Sequence, residues 1–344
     1  MRNGSATTSA AGLSTARGWP VIHRYELGLV STGGWWCSWG VSEIDLSRDL
    51  VGRGFSPDEL ARMTRAGELR RVRRGAYTRP TTADLDPRVA HLQLLEATTR
   101  QTSPDAVVSH MSAAALHGLP VWREHLTRAH LTVSRAGNGK TRRYVHIHGI
   151  PITDEDTAEV GEFRVTSLAR TVLDLGCQLD LWRSVAVGDA ALRLGLDPAE
   201  LTDLLDRAGR RHGVRSARRA AWLLDGRAES PQESRSRVVF HLHGLPKPEL
   251  QYVVLGRDGE FVARSDFGWP DLRTVGEFDG RIKYGRALRP GQDLEEVLFD
   301  EKRREDEVRS LDLQMVRWVS RDLEPPHGLL ARLHRAFERG RRTA

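Results

Sequence analysis

The sequence predicts an α+β chain built from several domains, and three observations carry that prediction. The 344 residues exceed what a single core of ordinary size encloses, so two or three units are expected. Near the N-terminus, capped helical segments precede a short alternating segment turned by glycine. The last third instead runs helix, strand, strand, strand, helix, strand, and between the two lies a mixed stretch of short strands and helices.

Composition bounds what these units do. Hydrophobic residues make up 39% of the chain, and no apolar run approaches the ~18 residues of a spanning helix. The N-terminus lacks a basic-then-apolar layout, so a soluble cytoplasmic protein with no membrane association is expected. Cys37 and Cys177 lie far apart without neighbours spaced for zinc, and neither a disulfide framework nor a zinc site is indicated. A net charge of +6 suits a polyanionic partner. Of the 52 basic residues only Lys140, Lys247, Lys283 and Lys302 are lysine. Lysine is a compact charge whose pKa shifts readily, so each one retained in an arginine-rich chain is informative.

Residues 1–40 are rich in Ser, Thr, Gly and Ala and read as a poorly ordered lead-in, its aromatic run Gly-Gly-Trp-Trp-Cys-Ser-Trp at 33–39 included. From Val41 the pattern changes, with Ile44, Leu46 and Leu50 as apolar positions. Ser56-Pro57-Asp58-Glu59 then supplies a cap, a proline at the first helical position and acids in the first turn, which starts a helix to about Ala66. After Gly67, residues 68–78 alternate as a hairpin about Gly75. Helix, helix, basic hairpin is the order of a winged helix-turn-helix, assigned here to residues 41–100. Seven arginines lie from Arg62 to Arg79 against one acid, Glu68. Such a stripe neutralises phosphates, and Arg70, Arg71, Arg73 and Arg74 are the candidate DNA contacts.

Residues 101–180 read as the mixed α/β segment: Val107 to His110, a small-residue helix from Met111 to His117, and strands around 131–133 and 144–148. A helix opens within 166–174. Residues 181–227 read as a helical connector, with Leu194, Leu201, Leu204 and Leu205 apolar and a second arginine cluster from Arg207 to Arg219. Val41 to Asp174 resembles the AbiEi-type antitoxin proteins through the run Ser-His-Met-Ser-Ala-Ala-Ala-Leu-His-Gly-Leu at 109–119. The resemblance implies DNA binding through the wing, operon autoregulation and an operon-encoded protein partner. His110 and His117 are expected to be structural, since no acid or cysteine lies close in sequence to complete a catalytic or metal set.

Residues 228–344 carry the chemistry. A helix is expected over Glu233 to Phe240, strands over 251–255, 261–267 and 272–279, a helix over 300–309 and a strand over 313–319. Residues two apart on a strand share a face, so Val275, Glu277 and Asp279 point together. Adjacent strands lie ~4.8 Å apart, which sets Asp266 beside Glu277. Glu233 on the packed helix adds a third carboxylate. Gathered acids call for a cation, and Mg²⁺ (or Mn²⁺) held by carboxylates, waters and phosphate oxygens is the ordinary answer.

This layout is similar to the PD-(D/E)xK nucleases, and among them to the group like very-short-patch-repair endonucleases. The residues carrying the likeness are Glu233, Gln251, Asp266-Phe267-Gly268-Trp269-Pro270, Glu277-Phe278-Asp279-Gly280, Glu301 to Asp306 and Val316-Arg317-Trp318. It implies a restriction-endonuclease-like domain with a mixed central sheet and metal-dependent cleavage of DNA. Asp266 and Glu277 would hold the metal, and Glu233 would bind it or orient water. Asp279 stands where the wider superfamily has lysine, and Lys283 is the expected substitute. Arg303 and Arg304 are expected to clamp the DNA backbone. The alternative is a DNA-binding regulator whose nuclease fold is inactive.

Overall fold

The computed structural model describes residues 44–81, 84–134, 139–280, 303 and 307–342. The expected lead-in, Lys283, Lys302 and Arg304 lie outside the described residues.

The first unit is built as its caps dictate. Helix α1 (Ser47–Gly52) is followed by α2 (Pro57–Arg65), where the Ser56 hydroxyl accepts from the Glu59 N–H and the Glu59 carboxylate accepts from the Ser56 N–H. Strands β1 (Asp45–Leu46), β2 (Arg70–Arg73) and β3 (Ala76–Thr78) form one antiparallel sheet in the order β1-β3-β2. Gly75 makes the β2–β3 turn at φ 79°, a conformation that L side chains rarely adopt. Leu50, Leu60 and Leu69 fill the small core between helices and hairpin. Helix α3 (Pro87–Thr99) then runs behind the hairpin.

A six-stranded sheet follows, from β4 (Val107–Val108), β5 (Ala129–Val133), β6 (Lys140–Thr141), β7 (Val145–Gly149), β8 (Thr157–Val160) and β9 (Phe163–Thr166). Their order is β6-β7-β5-β4-β9-β8, with β5–β7 and β4–β9 parallel. Helix α4 (His110–Leu116) packs beside β5. Helices α5 (Leu168–Gly176), α6 (Leu181–Arg193), α7 (Pro198–Arg207) and α8 (Val214–Trp222) close the unit. The segment expected as a connector thus supplies a core: Leu173, Val187, Leu201, Leu205 and Ala217 bury together with Met111 and Leu119. Beneath it, Arg170, only 4% exposed, reaches Asp156 at 2.7 Å and Asp174 at 2.9 Å, and Arg211 reaches Asp174 at 2.7 Å.

The last unit opens on α9 (Pro231–Leu242) and continues with β10 (Glu249–Leu255), β11 (Phe261–Trp269), β12 (Thr274–Phe278) and β13 (Gln314–Trp318). Strands β10, β11 and β12 form the expected meander, and β13 returns parallel to β12. Residues 307–310 are helical, at the C-terminal end of the helix expected over 300–309. Phe240 of α9 sets its ring edge against Phe267, Trp269 and Trp318, each centroid 5.5 to 5.6 Å away, which seats the helix on the sheet. Gly276 belongs to this packing. A Cβ there would stand 2.7 Å from the Trp318 ring, so the strand carries glycine where the indole crosses it. Helix α10 (His327–Arg342), which the sequence reading did not include, covers this aromatic cluster with Leu329, Leu333 and Phe337. The unit is tied back to α6 through Asp189, which accepts from Ser234 Oγ at 2.6 Å and Arg237 Nη1 at 2.7 Å. Among the described residues no helix is long and apolar enough to cross a membrane.

Candidate nucleic-acid interface and carboxylate row

The basic hairpin divides its arginines, and an irregularity in register between Arg71 and Arg73 interrupts the simple alternation. Arg71 and Arg74 are exposed, whereas Arg70 and Arg73 are half-buried against α3. Arg70 donates through Nη2 to Gln93 Oε1, and Arg73 donates through Nη1 to Thr98 Oγ1 at 2.7 Å. Burial lowers the pKa of both. Two of the four expected contacts are thus hydrogen-bonded to α3, and the other two are exposed. Sequence alternation placed all four on the wing, but only the helix behind it decides which pair is turned inward.

In the last unit the strand registers draw one line across the sheet. Leu250 pairs with Phe267 and Tyr252 with Ser265, so Gln251 lies opposite Asp266. Phe267 pairs with Gly276, and one step on Asp266 lies opposite Glu277. Glu277 in turn pairs with Arg317 on β13. The row is Gln251, Asp266, Glu277, Arg317.

Each member is held. Gln251 sits at φ 52° in the middle of β10, a strained position for a residue with a side chain, and its Nε2 donates to Glu233 Oε2 at 3.0 Å. Glu233, 6% exposed in the first turn of α9, also accepts from the Glu229 N–H at 2.8 Å and the Ser230 hydroxyl at 2.7 Å. Burial raises its pKa, and the charges of Asp266 and Glu229 add to the rise. Asp266 Oδ2 accepts from the Phe278 N–H at 2.8 Å, which locks β11 to the end of β12. Glu277 Oε2 lies 3.1 Å from Arg317 Nη2.

Asp279 extends β12 by one residue, its N–H donating to the Trp318 carbonyl at 2.7 Å. Arg303 is exposed, its Nε 3.8 Å from Glu307. The structure thus brings Glu233, Asp266 and Glu277 into one neighbourhood. It does not gather their oxygens within a single ion's reach: among the described residues the one group of three metal-capable side chains whose ligand atoms all lie within 4.8 Å is His130, His146 and His148. Arg317 as the partner of Glu277, and Gln251 as the link to Glu233, were not assigned roles from sequence. The first depends on register between strands 40 residues apart in sequence, and the second on how α9 packs against β10.

The family described as transcriptional regulator, AbiEi antitoxin, matches residues 46–80, which span α1, α2 and the hairpin. Two uncharacterized proteins of Mycobacterium tuberculosis, Rv2248 of strain H37Rv and MT2308 of strain CDC 1551, are each 35% identical over 154 residues. Those residues are 41% of this chain and 56% of each relative, so the match spans little more than half the length of those proteins. Among solved structures, the RV2827C protein of Mycobacterium tuberculosis aligns with 62% of this chain and 83% of its own, at 17% identity and a TM-score of 0.37.

Proposed function

We propose that this protein binds duplex DNA through its N-terminal wing and hydrolyses phosphodiester bonds at the carboxylate row of its C-terminal sheet. The observation that carries the reading is the row itself: Gln251, Asp266, Glu277 and Arg317 side by side on four strands, with Glu233 joined to it through Gln251. The AbiEi match over the hairpin, and the exposed Arg71 and Arg74 upon it, support the DNA-binding half.

The donors suit a hard divalent cation, since they are carboxylate oxygens backed by hydrogen bonds. Asp266 and Glu277, opposite one another, are the residues that would hold Mg²⁺ or Mn²⁺. Bound there, the ion supplies a water of lowered pKa and charge compensation for the phosphoryl oxygens. Glu233 orients the site through Gln251. Arg317 holds Glu277 in place and sets a fixed positive charge beside it. Asp279 leaves the ammonium role open, and Lys283, four residues on, is the residue proposed for it. Arg303 and Arg304 are proposed to hold the DNA backbone. The setting proposed is a defence or toxin-antitoxin operon with an encoded protein partner.

A second reading has its own support. Glu277 is ion-paired and Glu233 accepts three hydrogen bonds, the state of a polar network that stabilises without catalysing. On that reading the chain is a DNA-binding regulator with an inactive nuclease fold. Incubating plasmid, linear duplex and single-stranded DNA with the protein, with Mg²⁺ or Mn²⁺ and then with chelator, separates the two. Metal-dependent cleavage abolished in Asp266→Ala supports the first, and intact DNA binding without cleavage supports the second.

A further inference from the structure

The central sheet carries a feature that the DNA-binding and carboxylate sites do not use. His130 on β5 lies opposite His146 on β7, and His148 follows two residues later on the same face of β7. His130 Nδ1 and His148 Nε2 are 3.1 Å apart, and the His146 and His148 rings stack at 4.0 Å. One nitrogen from each of the three lies within 4.8 Å of the others.

We propose that His130, His146 and His148 form a binding site for a borderline transition-metal ion, Zn²⁺ or a close analogue. Three imidazoles are the donor set that such ions prefer over Mg²⁺ or Ca²⁺. At Zn–N bonds of about 2.0–2.1 Å, tetrahedral geometry sets nitrogens roughly 3.3–3.4 Å apart, close to the 3.1 Å contact between His130 and His148. The His146 ring, stacked on His148 at 17°, has to turn out of that stack for its nitrogen to join them. Three protein ligands leave a fourth position for water or an exogenous donor.

The surroundings prepare these rings as ligands. His148 is buried and His130 half-buried on the sheet. An arriving cation takes the facing nitrogens of His130 and His148. The single proton shared in the His130–His148 contact moves to the other nitrogen of its own ring. His148 is backed by the ring of His110, stacked at 3.6 Å, and His110 is tied to Ser109 at 3.0 Å. The nearby guanidiniums are matched: Arg170 and Arg211 are paired with Asp156 and Asp174. His110 itself is held at φ 51° and fully buried, a strained placement at the base of the cluster.

The test uses the full chain, stripped with chelator and titrated with Co²⁺ and then Zn²⁺. One ion per chain is expected at the histidines, apart from any held by the carboxylate row, with the visible ligand-field band of four- or five-coordinate Co²⁺ that Zn²⁺ displaces. His146→Ala, at a half-exposed strand position, should weaken binding by at least about 100-fold, since losing even an outer-shell partner of a metal ligand costs 10–100-fold. The double variant Asp266→Ala with Glu277→Ala should keep the band, which separates this site from the carboxylate row. Long-range proton–nitrogen spectra of the wild-type imidazoles, with and without Zn²⁺, give the same answer without any variant. No stoichiometric binding, a band unchanged by His146→Ala, or no perturbation of these three imidazoles would overturn the site.

Discussion

The division of the wing arginines yields a quantitative expectation. Arg71 and Arg74 are exposed, and Arg70 and Arg73 are hydrogen-bonded to α3. Each phosphate neutralised by a protein cation contributes about 0.9 to the slope of log K against log salt. Replacing Arg71 and Arg74 by alanine should therefore lower the slope by ~1.8. Between 50 and 200 mM salt, a fourfold change, the wild type should lose about 12-fold more affinity than the double variant. Arg70→Ala with Arg73→Ala should act differently. It removes two partly exposed charge-assisted hydrogen bonds, worth about 1 kcal/mol each, and should lower the Tm of the unit while leaving most of the slope. The assay is fluorescence anisotropy with a labelled duplex across the salt series, beside a thermal melt of each variant. An unchanged slope in the Arg71 and Arg74 variant would remove the hairpin from the DNA interface. Equal slope losses in both pairs would refute the assignment of the inner pair to anchoring.

Two further expectations follow from the last unit. Because burial raises the Glu233 pKa above its ordinary value of 4.5, the fold favours the protonated acid. Wild-type stability contributed by this group is present below that value and is lost as pH rises through the raised pKa. Glu233→Gln keeps the shape, and its amide satisfies the three donors once the Ser230 hydroxyl turns. The variant should thus gain on the wild type in denaturant midpoint as pH rises from 4 to 7, and parallel curves would contradict the placement. Gly276→Ala would press a methyl into the Trp318 ring. It should cost about 1–3 kcal/mol and red-shift tryptophan fluorescence, and a neutral outcome would show that the indole does not cross the strand closely.

Much of this architecture was legible in the chain, and the residues that were legible share a cause. Ser56 to Glu59 carries its own cap, so α2 is set by local chemistry. The Gly256 to Gly259 turn and the Trp269 to Asp271 corner bound alternating segments, so the β10–β11–β12 meander and the Asp266–Glu277 juxtaposition follow from turn positions. Helix α3 was not visible because it is buried on several sides: His91, Gln93, Leu94, Leu95, Ala97 and Thr98 leave no single apolar stripe. Helix α10 did carry a readable pattern, with Leu329, Leu333, Ala336, Phe337 and Gly340 at helical spacing among its arginines. The pairing of Glu277 with Arg317 was out of reach, since the register of a parallel return strand is set by tertiary packing and not by a turn. The His-Ile-His run at 146–148 was itself a signal, two imidazoles on one strand face, but its third member comes from a neighbouring strand.

The most direct measurement is nicking or linearisation of supercoiled plasmid by the purified chain in Mg²⁺, beside Asp266→Ala and Glu277→Ala at matched DNA occupancy. The proposed function predicts cleavage by the wild type that chelator stops, and a loss of at least about 100-fold in each variant with DNA binding retained. No cleavage by the wild type in Mg²⁺ or Mn²⁺, or cleavage that persists in both variants, would contradict the carboxylate row as the catalytic site.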